Sequence, residues 1–201
     1  MNILQKTGSM TEKAMRTEEI KEKLKKTLDS ERYQHSLSAA DTARQYAAYL
    51  NYDEEKAYLA GLVHDCAKYL TAEEYLSEAR KFGIEPDEIQ RLSPHLLHAP
   101  LGAKYAQAFY DVHDEEILSA VAAHTTGKAD MSLLDKIIFT ADLAEPLREY
   151  DDIEKIRELV FTDFDKALLL TLEGVLLSVL RKKQLIHPDT VLAYNWALSQ
   201  F

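Results

Sequence analysis

A single cysteine among 201 residues, a deficit of positive charge and the lack of any long apolar run narrow the possibilities before a motif is read. Cys66 has no partner for an intramolecular disulfide, which excludes a disulfide framework and suits a reducing compartment. Flanked by Asp65 and Ala67 in an apolar stretch, its thiol reads as a small core side chain rather than a nucleophile. Lysine and arginine number 24 against 34 aspartates and glutamates, a formal charge of -10. That balance argues against a broad nucleic-acid or anionic-membrane surface, so any anionic substrate must meet a local basic patch. Met1 to Arg16 lacks the uninterrupted apolar stretch of about 7 to 15 residues that a secretion signal needs, which points to a cytoplasmic protein. Leu168 to Leu180 is strongly apolar, but Thr171, Glu173, Gly174 and Ser178 interrupt it. It falls short of the roughly 20 residues that span a bilayer and reads as a central packing helix, with no membrane partner.

What the chain does have is helical periodicity almost throughout, with no convincing strand, repeat or linker. Its length suits one buried core, so the expected architecture is all-α and single-domain. Met1 to Thr17 has no apolar periodicity and is expected to form a disordered N-terminal extension, leaving residues 18–201 as the domain. Ile20, Leu24 and Leu28 build one stripe. Ser30 is the expected N-cap of a helix from Glu31 to Leu50, and Asp53 caps the next. Thr71 and Glu74 form a capping box for a helix ending near Gly83. Pro86 and Pro94 mark turns or first helical positions. Further helices are expected over 99–110, from Asp114 to His124 with a stop at Gly127, and from Ser132 to Leu143. The last third reads as helices over Asp152 to Val160, Asp163 to Leu185, and after Pro188.

The pair His64-Asp65 closes an apolar helical run and offers one borderline nitrogen and one hard oxygen, a combination suited to iron, manganese or zinc. Successive helical residues project about 100° apart, so the two can flank a metal from neighbouring directions. Ala57, Ala60, Gly61 and Ala67 allow other helices to approach closely. His35, His98, His124 and Asp142 are the remaining candidates. His64, Asp65, His124 and Asp142 lie in largely apolar segments, where an unpaired polar side chain is costly to bury. A shared metal is one way to partner them; for any single histidine, ordinary hydrogen bonding is the other. His95 competes with His98, because His95-Leu-Leu-His98 places both imidazoles on one helical face. His113 and His187 sit in predicted turns and read as solvated.

The order His35, His64-Asp65, Asp142 resembles the ligand series of the HD-domain metal-dependent phosphohydrolases, and His98 and His124 resemble those of the branch holding two metals. Three stretches are similar to the YqeK family, described as symmetrical diadenosine tetraphosphate hydrolases: Leu96-Leu-His-Ala-Pro-Leu-Gly-Ala103, His124-Thr-Thr-Gly127 with Met131, and Lys136-Ile-Ile-Phe-Thr-Ala-Asp-Leu-Ala-Glu-Pro-Leu-Arg148. The resemblance covers roughly residues 18 to 200 and favours His98 over His95, since His98 holds the family's place before Pro100.

The resemblance implies an HD-domain helical bundle with two divalent metal ions, iron first, with manganese or another transition metal as alternatives. Asp65 bridges them in this reading. His35, His64 and Asp142 complete one coordination sphere, and His98 with His124 the other. A pair of ions about 3.5 to 4 Å apart can hold an attacking hydroxide and stabilise phosphoryl charge. Lys68, one turn beyond His64, is the candidate catalytic and phosphate-contacting cation, or else a solvated lysine. Arg32 and Arg148 are further candidates to neutralise a polyphosphate. Thr125 and Thr126 either donate to phosphate or cap the helix after His124. The expected activity is cleavage of diadenosine tetraphosphate into two ADP, with a dinucleoside polyphosphate or nucleoside diphosphate as ligand and a homodimer as a possible assembly. The alternatives are another HD-type nucleotide phosphohydrolase or phosphodiesterase, or a non-catalytic metal-containing nucleotide sensor.

Overall fold

The computed structural model describes residues 3–201, with side chains from residue 15 onward. Helix α1 (Ile3–Thr27) begins upstream of Glu18, so helical backbone also covers most of the segment read from sequence as a disordered extension. Its buried stripe is Ile20, Leu24 and Leu28, at the predicted spacing. Helix α2 (Ser30–Tyr49) starts one residue early: Asp29, not Ser30, is its N-cap, and its carboxylate accepts the Arg32 N–H at 2.8 Å. Two adjacent residues can each cap, and the stronger acceptor takes the position.

Small residues decide how α2 meets α3 (Glu54–Val63). Ala39, Ala40, Ala43 and Ala47 of the first and Ala57, Ala60 and Gly61 of the second are buried. A Cβ on Gly61 would stand 2.8 Å from the Ala40 Cα, so only glycine allows this crossing. The close approach puts His35 on α2 beside His64 just past α3.

The capping box of α4 (Ala72–Lys81) forms as predicted between Thr71 and Glu74. A short α5 (Glu88–Leu92) and a 3₁₀ turn at Pro94–Leu97 then lead into α6 (His98–Tyr110). Helix α7 (Glu115–Ala123), capped by Asp114, delivers His124 at its C-terminal end. Gly127 follows at φ 68, a left-handed conformation that ends the turn, with the Ala193 methyl 2.8 Å from where a Cβ would sit.

Helix α8 (Leu133–Ala144) is the central element. Leu134, Ile137, Ile138 and Ala141 face the large core built with α1 to α4, α6 and α7, to which Val160 and Ala167 also belong, and Phe139 faces a smaller core with Leu168, Leu172, Ala193 and Ala197. A helix apolar on both sides must be enclosed on both sides. The central role expected of Leu168 to Leu180 therefore belongs elsewhere. In α10 (Phe164–Arg181) only Ala167, Leu168, Thr171 and Leu172 are buried, while Leu177 and Leu180 are 50% and 58% exposed. That helix stops at Arg181 rather than Leu185, and Lys183 turns left-handed at φ 54. Between α8 and α10 lies α9 (Ile153–Val160), and α11 (Pro188–Leu198) closes the described fold. Among the described residues there is no strand, and no helix is long and apolar enough to cross a membrane.

His187 corrects another expectation. It is buried rather than solvated: its Nε2 lies 2.7 Å from the Asp87 carboxylate, and its Nδ1 accepts the Asp189 N–H at the start of α11. The turn before Pro188 packs onto the N-terminus of α5, a contact 100 residues distant in sequence.

Candidate metal centre

Five helices converge on one buried spot. His35 comes from the second turn of α2, His64-Asp65 from the end of α3, His98 from the start of α6, His124 from the end of α7, and Asp142 from the last turn of α8. All six side chains are buried, with His64 and Asp65 fully so. His95 is exposed, and it is its backbone carbonyl that enters the site.

Each imidazole donates its Nδ1–H outward. His64 donates to Gly61 O at 2.6 Å, His124 to Val121 O at 2.7 Å, and His98 to His95 O. His35 donates to Glu145 Oε1 at 3.1 Å. These bonds place each Nδ1–H outward and turn every Nε2 inward. The Nε2 atoms of His35 and His64 lie 3.1 Å apart, as do those of His98 and His124.

Asp65 stands between the two pairs. Its Oδ2 is 3.5 Å from His64 Nε2 and 3.6 Å from His35 Nε2; its Oδ1 is 3.2 Å from His124 Nε2 and 3.5 Å from His98 Nε2. Asp142 Oδ1 adds a contact of 2.9 Å to His35 and 3.6 Å to His64. Asp65 Oδ1 is buried with no hydrogen-bond donor, because both neighbouring rings spend their N–H on carbonyls. Three acceptors facing one another are reconciled by a cation. Such a set is costly as structure alone, since a buried carboxylate carries a desolvation penalty of several kcal/mol.

The field differs across the cluster. Burial alone would lower the His64 pKa, but the Asp65 and Asp142 carboxylates outweigh it and push it up to about 10. Burial and the Lys68 ammonium hold His98 well below the usual histidine range, and burial lowers His124. Burial would raise both carboxyls, yet His64 and Lys68 hold Asp65 well below its usual value, and His35 and His64 do the same for Asp142. His35, His64 and Asp142 make one group able to hold a metal ion, and His64, Asp65 and His124 a second. Nitrogen and oxygen donors of this mixture fit first-row transition metals.

Of the phosphate candidates, Arg32 Nη1 donates to Asp65 Oδ2 at 2.9 Å and Lys68 Nζ lies 3.3 Å from the same oxygen. Arg148 Nη2 donates to Asp142 Oδ1 at 2.8 Å. The Thr125 hydroxyl stands 2.8 Å from His98 Nε2 and 3.1 Å from His124 Nε2. Thr126 instead donates to Gly127 O, so its hydroxyl holds the turn. Two residues escaped the sequence reading. Glu145 lies behind His35, and Arg157 donates to the carbonyls of Ala144, Glu145 and Arg148, bracing the end of α8. The one local signal was an acid one turn after Asp142 and before Pro146.

Comparison with known proteins agrees with this geometry. The HD domain family matches residues 32–147. A Halalkalibacterium halodurans protein named "Bis(5'-nucleosyl)-tetraphosphatase, symmetrical" is 38% identical, across 87% of this chain and 93% of its own length. A Bacillus subtilis protein of the same name is 35% identical, across 92% and 99%. A crystal structure described as a predicted HD superfamily hydrolase involved in NAD metabolism, from Clostridium acetobutylicum, superposes with a TM-score of 0.88 at 37% identity, covering 92% of this chain and 98% of that one. With the converging histidines and aspartates, these matches show that the chain belongs to the HD-domain family and, within it, to the family of the symmetrical bis(5'-nucleosyl)-tetraphosphatases.

Proposed function

We propose that this protein is a two-metal phosphohydrolase that cuts diadenosine tetraphosphate with water into two molecules of ADP. The observation that carries the reading is Asp65, whose two oxygens face separate histidine pairs. The names of relatives matched over nearly their whole length supply the substrate class. His35, His64 and Asp142 would hold one ion, His98 and His124 the other, and Asp65 both. We assign iron first, with manganese or another transition metal suiting the same donors. When bound, such ions lower the proton affinity of water and stabilise charge on phosphoryl oxygens.

The chain's own contribution is positioning and charge. Three cations, Lys68, Arg32 and Arg148, now neutralise the carboxylates of Asp65 and Asp142 at 2.8 to 3.3 Å. An anionic polyphosphate can draw the same cations to itself, with Lys68 nearest the bridging carboxylate. Thr125 offers a hydroxyl donor beside the second histidine pair. No protein nucleophile is required, since Cys66 is buried and its thiol, by burial and the Asp65 charge, is pushed up beyond ready ionisation. Residues 18–201 carry every site residue. A reducing cytoplasm suits the free thiol, and the exposed Leu177, Leu180 and Leu192 of α10 and α11 support pairing of two copies.

Chromatography of products after incubation with diadenosine tetraphosphate and iron or manganese, under reducing conditions, tests the reading. ADP as sole product is expected. AMP with ATP would refute the symmetrical register, and metal uptake without turnover would favour another nucleotide substrate or a sensor.

A further inference from the structure

The four imidazoles of the cluster are not oriented alike. His64, His98 and His124 each donate Nδ1–H to the carbonyl three residues earlier, a local bond made within their own helix end. The equivalent carbonyl for His35 is that of Arg32, and it already accepts the Ser36 hydroxyl at 3.0 Å. His35 donates instead to Glu145, 110 residues away, at 3.1 Å. Glu145 is 1% exposed, and its second oxygen accepts the Leu147 N–H at 2.7 Å, which fixes the carboxylate from behind. Its own backbone carbonyl accepts from Arg157 Nη2 at 2.7 Å. A rigidly held charge thus stands behind one ring of four.

We infer that Glu145 is a positioning residue that makes the His35, His64 and Asp142 set the tighter of the two metal sites. A carboxylate accepting Nδ1–H fixes the ring's tautomer and raises the basicity of Nε2, where a backbone carbonyl supplies only a dipole. Stability alone does not explain a carboxylate here, because a buried carboxylate costs more to desolvate than an amide of the same shape. The same segment therefore supplies a ligand at Asp142 and, three residues on, the group that aims its neighbour His35.

This inference rests on the two-metal reading, and the test separates the two. Manganese is titrated calorimetrically into chelator-treated wild-type protein and Glu145→Gln; His124→Ala identifies which step belongs to the His35 set. Gln keeps the size and a carbonyl acceptor while removing the charge. The expected result is a loss of about 10- to 100-fold in affinity at the tighter step of Glu145→Gln, with the weaker step unchanged and helical circular dichroism unaltered. In the zinc-loaded, diamagnetic protein the His35 imidazole N–H proton resonance should move while those of the other three rings stay. Unaltered titration steps, or equal weakening of both steps with a lower melting temperature of the metal-free variant, would overturn the role of Glu145. Wild-type protein that takes up no manganese would overturn the metal-site reading itself, and the inference with it.

Discussion

The two halves of the histidine cluster carry opposite electrostatic characters. Around His35 and His64, Asp142 and one oxygen of Asp65 gather negative charge, enough to push the His64 pKa up to about 10. Around His98 and His124 there is only the other oxygen of Asp65, and burial with the Lys68 ammonium holds the His98 pKa well below the usual histidine range. A proton and Arg148 can satisfy the first half. The second half is three lone-pair donors around the Thr125 hydroxyl. In the proposed two-metal reading one shared carboxylate would serve two unlike sites, the second with fewer protein donors and so with coordination positions left for water and phosphate.

Removing the shared element should erase the contrast. For Asp65→Ala we expect loss of both metals, measured by elemental analysis, and a fall in kcat/KM of more than about 10³-fold, with helical circular dichroism retained. Near-normal turnover would refute a shared ligand. A narrower cut is His124→Ala, expected to halve the metal bound and abolish turnover, while His35→Ala should weaken the tighter calorimetric step. Equal effects on both steps from either variant would mean that the halves are not distinct.

A smaller effect is expected at Lys68, which neighbours both halves without belonging to either ligand set. Lys68→Ala should keep full metal content and lower kcat/KM by about 10- to 100-fold through lost charge at the phosphate. An unchanged value would remove Lys68 from the site.

The contrast also predicts a pH signature in metal-free protein. His64 binds its proton more tightly folded than unfolded, so its contribution is complete below about pH 6.5 and disappears as pH rises through about 10. His98 and His124 are shifted the other way, so their burden appears as pH falls below about 6.5, when the unfolded chain takes up protons that the folded chain refuses. Thermal melts of chelated protein should therefore decline on both sides of neutrality, at about 2–4 °C per kcal/mol for a chain of this size. His64→Asn should flatten the alkaline limb, and His98→Asn the acid limb. A single-sided decline would show that the two halves respond alike.

How much of this was legible in the sequence follows from the range of each interaction. Helices, the Thr71 capping box and the stripe of α1 are local, and their spacing announced them. The mistaken centrality of Leu168 to Leu180 arose because an apolar run states how much can be buried but not which face is covered. His187 read as solvated because its partner Asp87 is 100 residues away, and Glu145 went unnoticed because its partner His35 is 110 residues away. Spacing could not assemble the six converging residues from five segments either. The order of ligands shared with a known family proposed the set, and the crossing at Gly61 explains how two of its helices come close enough to deliver it.

The most direct test of the shared carboxylate is electron paramagnetic resonance of protein loaded with two equivalents of manganese. A pair of ions joined through Asp65 should give an exchange-coupled spectrum. Two independent six-line signals of mononuclear manganese would contradict it.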